Sequence, residues 1–342
     1  AFPKIKYKQR EYSKTRRTDI DIYRGLGILL GVLGHVSFLS PSWHKIIYSF
    51  HMPAFFILSG YLINVKNLEL KPWIFIIQRF YRLIIPAWTI GVICGLPFVA
   101  MLLMSNISGS DFLMKLYGTL TGATKVANNF FVTPIWFLYC LFIVEAMFYL
   151  IMKISSNKYI IALIVISFYL IAKNVDIFHF FNVNIAFIAM PYFLIGYILQ
   201  SIVITRHINY AMISVVLLLG FSYLTPTEVD MSALQVGNGV WAFINLASAL
   251  AGSYLLYYIA GYINSEFISW LGKNTLVILG FNYYINAIAK NILTFAHMEY
   301  YVILSFIIQI ILLAILVKII ASWPALNSLV NGKMFVTYKE AK

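Results

Sequence analysis

Charge is what this 342-residue chain has least of: Asp, Glu, Lys and Arg together make up 11% of it, against about 25% in a soluble domain. With 61% hydrophobic residues and a mean hydropathy of +0.84, that scarcity excludes an ordinary water-soluble globule. Cysteine is nearly absent as well. Cys94 and Cys140 are the only two, and they make neither a disulfide framework nor a zinc-ligand spacing, so no metal is expected. Acids are fewer than bases, 12 against 25, for a net charge of +13. Such a balance can signal nucleic acid. Here the positive residues fall mostly between apolar runs, where membrane topology and anionic headgroups account for them. The expected partner is lipid, with no nucleic acid. No short cleavable leader is expected either, because a basic arm runs directly into a full-length apolar segment.

Long apolar runs are what the chain has in abundance. Their repeat of about 20 residues reads as an all-α polytopic membrane protein of about ten transmembrane helices. The runs lie near 20–39, 46–65, 84–104, 135–152, 159–173, 185–204, 209–225, 240–263, 268–289 and 300–320. Residues 67–83 mix Trp73, Ile74, Phe75, Ile77 and Phe80 with Lys71, Gln78, Arg79 and Arg82, as an interfacial helix does. The stretch 105–134 reads as the longest polar loop. The expected division is a basic cytoplasmic arm over 1–18, a ten-helix membrane domain over 19–323 and a cytoplasmic tail over 324–342. With this layout eighteen Lys and Arg residues fall on one side and five on the other, which places both termini in the cytoplasm.

Two polar residues in the first run carry the chemistry. Arg24 and His35 are eleven residues apart, which is three helical turns, about 16 Å along the axis and one face. Ions and imidazoles within a membrane helix are costly and mark functional sites. A tight hairpin near Ser40–Lys45 sets His35 level with His51, and Arg24 level with Gly60 and Tyr61. Arg79 and Arg82, three apart on one helix side, begin the third run on the membrane side of Arg24. The expectation is an arginine cluster at one face and a histidine pair towards the other. Arginine grips phosphate with a planar fork of donors, and a neutral imidazole can accept a proton near pH 7. A donor with phosphates at one end and a reactive group on a long arm fits that span, as an acyl-CoA does. Simpler readings exist for each residue. Arg24 can snorkel to headgroups, Arg79 and Arg82 can bind them, and His35 or His51 can be core histidines bonded to carbonyls.

Six stretches, in order, resemble the membrane acyltransferase-3 family, especially its fucose-4-O-acetylase-like branch. They are DIDIYRGLGILLGVLGH (19–35), YSFHMPAFFILSGYLI (48–63), QRFYRLIIP (78–86), PIWFL (134–138), MPYFLIGYIL (190–199) and WLGKNTLVILGFN (270–282). The resemblance implies a ten-helix core in the cytoplasmic (inner) membrane of a bacterial cell. It implies transfer of an acyl group, usually acetyl, from cytoplasmic acyl-CoA to a hydroxyl of a cell-surface polysaccharide or its lipid-linked precursor. Acetyl-CoA would be a donor substrate, with no tightly bound cofactor. Arg24 and His35 would carry activity, and Arg79 and Arg82 would help hold the donor. Two departures stand out. Relatives often carry a histidine where this chain has Asn282, and a glutamate five residues after a tryptophan. Here Trp136 is followed only nine residues on by Glu145.

The expected mechanism has His35 as general base on an acceptor hydroxyl, or as a nucleophile that is itself acylated. His51, Ser59, Tyr61 and Asn282 are candidates to orient His35 or polarise the thioester. Glu145 is a candidate to balance a site cation or to pair with a neighbouring helix, and Asp19 and Asp21 to pair with Arg79, Arg82 or Lys273. No hydrolase-like domain is expected after the core, and the core is expected to complete the transfer or hand the group to a partner. The rival readings are a transporter or flippase for a sugar or lipid-linked oligosaccharide, and a non-catalytic membrane subunit.

Overall fold

The computed structural model describes residues 17–175, 180–225, 229–298 and 300–333. Most of the expected basic arm and the end of the expected tail lie outside the described residues. Within them the chain is helical, with no strand. Two helices open the fold, α1 (Thr18–Gly34) and α2 (Pro41–Leu62). Then α3 (Pro72–Arg79) and α4 (Ile85–Leu103) join through a single π-helical stretch, Phe80–Ile84. α5 (Gly109–Thr121), α6 (Trp136–Ile154), α7 (Lys158–Asn174), α8 (Val183–Leu199), α9 (Ile208–Leu224) and α10 (Val240–Ala260) follow. The chain continues through α11 (Glu266–Lys273), α12 (Thr275–Phe295), α13 (Val302–Ala321) and α14 (Pro324–Val330).

Six helical segments are long and apolar enough to cross a membrane: Pro72–Leu103, Thr133–Ile154, Phe180–Leu199, Val240–Ala260, Thr275–Phe295 and Val302–Ala321. A seventh, α9, is apolar but has 17 residues. The other three expected spans are helical too, as α1, α2 and α7. α1 and α7 have 17 residues each. In α1, Asp19, Asp21 and Arg24 also lower the hydropathy, and in α2 Lys45 and two histidines do so. α1 and α7 are thus shorter than the six, and polar side chains lower the apolarity of α1 and α2.

Boundaries differ from the sequence reading in three places. The first helix ends at Gly34, not near Leu39, and His35 caps it with φ −95° and ψ −3°. The expected span 268–289 is two helices broken at Asn274. The expected loop 105–134 contains α5. Its N-terminus is capped by Ser108, whose hydroxyl accepts the Asp111 N–H at 3.0 Å, and Phe112 and Leu116 pack onto the core. A Ser-x-x-Asp start followed by apolar residues is a local helix signal, and it outweighs the polar composition.

α6 is the most enclosed of the long helices, with Leu138, Tyr139, Cys140, Val144, Phe148 and Tyr149 fully buried. α13 is the most open, and Ile303, Ile307, Ile311, Ile315 and Ile319 form an exposed apolar stripe along it, with Lys318 exposed beside its end. In a bilayer such a stripe meets lipid at no cost, and helices associate instead through close backbone packing. α2 and α8 show this: a Cβ on Gly196 would collide with the Ile57 carbonyl, and one on Gly60 with that of Phe193. A serine cluster joins α2, α9 and α10, with Ser248 Oγ to Ser49 Oγ at 2.9 Å and Ser49 Oγ to Ser222 Oγ at 3.4 Å. α14 folds back onto α4 with Val330 fully buried.

Candidate active site

α1 is helical through Arg24 and up to His35, so the two residues stand about 16 Å apart along its axis. Each lines a separate cavity. The His35 cavity has about 200 Å³. Its walls come from the end of α1, the middle of α2, the 124–136 segment, the α9–α10 connection and the first half of α12. The Arg24 cavity has about 100 Å³ and lies between the start of α1, the end of α2, the π-helical stretch and α6.

In the first cavity the Tyr48 hydroxyl meets His35 Nδ1 at 3.1 Å. Tyr48 in turn stacks on His44 at 3.8 Å and tilts against His51 at 4.9 Å. His51 Nδ1 donates to the Ile47 carbonyl at 2.9 Å. In a neutral imidazole that leaves Nε2 as the proton-accepting nitrogen. The backbone at His35 is held as well. Asn286 Nδ2 donates to its carbonyl at 2.8 Å, and Gln309 Nε2 donates to Asn286 Oδ1 at 3.0 Å. These bonds tie α13, α12 and the end of α1 into one frame. The facing wall is fixed by Asn129, whose Nδ2 donates to the Ala123 and Lys125 carbonyls at 2.9 and 3.0 Å.

The second cavity gathers Arg24, Arg79, Arg82, Ser59 and Glu145. Arg79 Nε and Glu145 Oε2 form an ion pair at 2.8 Å, with side chains only 5% and 8% exposed. The Arg79 guanidinium also lies 4.8 Å from the centre of the Phe75 ring, a cation–π contact. Among the described residues that line it, three arginines stand against one carboxylate, a balance suited to an anion. Ser59 Oγ donates to the Phe55 carbonyl at 2.7 Å, so its hydroxyl is left as an acceptor. The π-helical stretch widens the turn between Arg79 and Arg82, a device common at functional sites.

Aromatic rings stand between the two cavities. Phe55 lines the first and Ser59, one turn on, lines the second. Phe137 sits between Trp136, in the first, and Leu141, in the second. The Phe55 and Phe137 rings meet edge-on at 6.0 Å, and Phe56 and Phe137 at 4.9 Å.

The structure thus brings His35, His51, Trp136 and Asn282 to one cavity and Arg24, Arg79, Arg82, Ser59 and Glu145 to the other. Tyr61 joins neither. Asp19 pairs with Arg17 and Arg206, both at 2.8 Å, not with Arg79, Arg82 or Lys273. Burial by itself would raise the Asp19 carboxyl, but hydrogen bonds from the two guanidinium groups outweigh it and bring it down to about 2. Sequence reasoning missed Tyr48, Tyr283, Asp230 and Ser232. Tyr48 opens the stretch 48–63 and was within reach. Asp230 sits in a polar connection with no local signal to separate it from its neighbours.

Over residues 17–324 the sequence matches the family profile described as an acyltransferase domain. No curated protein and no solved structure matches it. The chain belongs to that acyltransferase family, and its apolar helices make it a multi-pass membrane protein.

Proposed function

We propose that this membrane acyltransferase moves an acyl group, acetyl by family default, from cytoplasmic acyl-CoA to a hydroxyl of a cell-surface polysaccharide or its lipid-linked precursor. In this reading the fold has ten membrane helices with both termini cytoplasmic, in the inner membrane, and belongs to the fucose-4-O-acetylase-like branch. The observation that carries it is the pair of cavities at the two ends of α1, one positive and one lined by imidazoles.

The donor's phosphates bind Arg24 and Arg82, with Arg79 held in place by Glu145. Its pantetheine arm passes Phe55 and Phe137, which must turn aside, and brings the thioester to His35. His35 takes the proton from the acceptor hydroxyl as its oxygen attacks the thioester carbonyl. The carbon–sulfur bond then breaks, and the imidazolium returns the proton to the leaving thiolate. In the covalent variant the imidazole itself attacks, CoA thiol leaves, and the acceptor hydroxyl then takes the acyl group. Tyr48 positions the ring, and His51 is the second base within the cavity.

Purified protein in liposomes, given radiolabelled acetyl-CoA and a glycan acceptor, tests the proposal. His35→Ala is expected to lower transfer by at least about 100-fold, the usual weight of a general base, and Arg24→Ala to weaken donor binding. Mass spectrometry of surface glycans from cells with and without the protein names the lost acyl group. Intact transfer in both variants refutes the site. Labelled glycan crossing the liposomes with no acyl-CoA bound or consumed establishes a transporter instead.

A further inference from the structure

The described part of the connection between α9 and α10, residues 229–239, borders the His35 cavity, where Asp230, Met231 and Ser232 form part of the wall. It is closed on itself by two backbone hydrogen bonds between Asp230 and Gln235, both 2.8 Å. Asp230 Oδ1 accepts the Ser232 N–H at 2.8 Å and the Ser232 hydroxyl at 2.7 Å. Both bonds fall on one oxygen, so no described residue donates to Oδ2. Elsewhere in the same wall Asn282 is 2% exposed, and its Oδ1 is buried with no hydrogen-bond partner among the described residues. A buried amide oxygen without a donor is costly, and its usual explanation is a ligand or water that supplies one.

These groups share a chemical sense. A carboxylate oxygen, an amide oxygen and the Nε2 of His51 all accept hydrogen bonds. Among the described residues no Lys or Arg lines the cavity, in contrast to the three arginines that line the other one. The ligand that satisfies such a wall donates in several directions and carries no negative charge. A cavity of about 200 Å³ has room for about seven waters, comparable with a single sugar ring. Trp136 and Tyr283 supply aromatic faces beside it.

We infer that Asp230 is a specificity-determining residue of the acceptor site, admitting uncharged polyhydroxyl compounds and repelling those that bear a carboxylate. Naming this cavity the acceptor site rests on the acyltransferase reading above. Asp230 selects by charge: its free oxygen accepts a sugar hydroxyl, while an acidic sugar places two anions together in a partly buried space.

Binding without any acyl donor tests this. The purified full-length chain is titrated with a radiolabelled neutral methyl hexoside and with the matching methyl hexuronide. The wild type is expected to hold the neutral glycoside at least tenfold more tightly. Asp230→Asn keeps an oxygen for the Ser232 turn but removes the charge, and should bring the ratio to within about threefold. Asp230→Glu keeps the charge and should keep the preference, which controls for misfolding. The inference is overturned if the wild type binds both alike or neither, or if Asp230→Asn leaves the preference intact. Acyl transfer, measured separately in the same preparation, reports only on the acyltransferase reading.

Discussion

Replacing Glu145 by glutamine removes one charge from the bundle and almost no volume. The carboxylate lies 2.8 Å from Arg79 Nε, and both side chains are more than nine-tenths buried. At that separation and an effective dielectric of 20 the attraction is about 6 kcal/mol before desolvation is counted. Much of it offsets the cost of burying the two ions, so the pair adds little net stability. Breaking it is another matter, because Arg79 is then left as an uncompensated buried cation, at a cost of about 3–5 kcal/mol. That is a factor of about 100 to several thousand in the folding equilibrium, a large part of a protein's stability. Thermal unfolding of detergent-solubilised protein, followed by near-UV circular dichroism and monodispersity, should show Glu145→Gln strongly destabilised. The double variant Arg79→Leu/Glu145→Leu should recover most of the loss, since an apolar pair of similar size replaces buried ions at little cost. If the proposed donor site is right, it should also bind acyl-CoA more weakly, having lost one of its cations. If Glu145→Gln unfolds within about 1 kcal/mol of the wild type, the pair is not desolvated as described, and the account of Arg79 fails.

Gly196→Ala should lower the unfolding temperature, with a cost of about 1–3 kcal/mol for overpacking. An alanine in a free helix face would instead gain about 1 kcal/mol, so the sign of the shift reports whether α2 and α8 touch through backbone at Ile57. Asp19 predicts a pH effect at the start of α1. Its carboxyl is held near 2 against an ordinary value of 3.8, so its stabilisation is complete above about pH 4 and is lost as the pH falls towards 2. The group is partly exposed, which limits the effect to about 1 kcal/mol or less. Asp19→Asn should abolish that acid-limb dependence of the unfolding temperature while changing little at pH 7.

The legible part of the molecule follows from short-range physics. Apolar runs marked the long helices, because a segment in lipid must satisfy its own backbone hydrogen bonds. The Arg24–His35 step marked two ends of one helix face, because residues eleven apart align by helical geometry alone. Hairpin symmetry put His51 level with His35 for the same reason. The Ser108–Asp111 cap of α5 was equally local and was masked only by the polarity of its surroundings.

Other features needed the whole chain. Glu145 could be marked as costly from its place in an apolar run, but its partner Arg79 is 66 positions earlier in the chain, and nothing local selects it. Asp19 meets Arg206 across 187 positions. Asp230 reaches the His35 cavity only because α9 and α10 pack against α2 and carry their connection over the end of α1. Such meetings depend on where glycines let helices close up and on where a helix stops, as at Gly34. The sequence by itself determined that this is a helical membrane protein with a cation and an imidazole on one helix. Tertiary packing decided that they face two cavities of different charge with aromatic rings between. Side-chain periodicity is a property of neighbours along the chain, whereas a cavity is made by residues whose only link is the way the helices settle together.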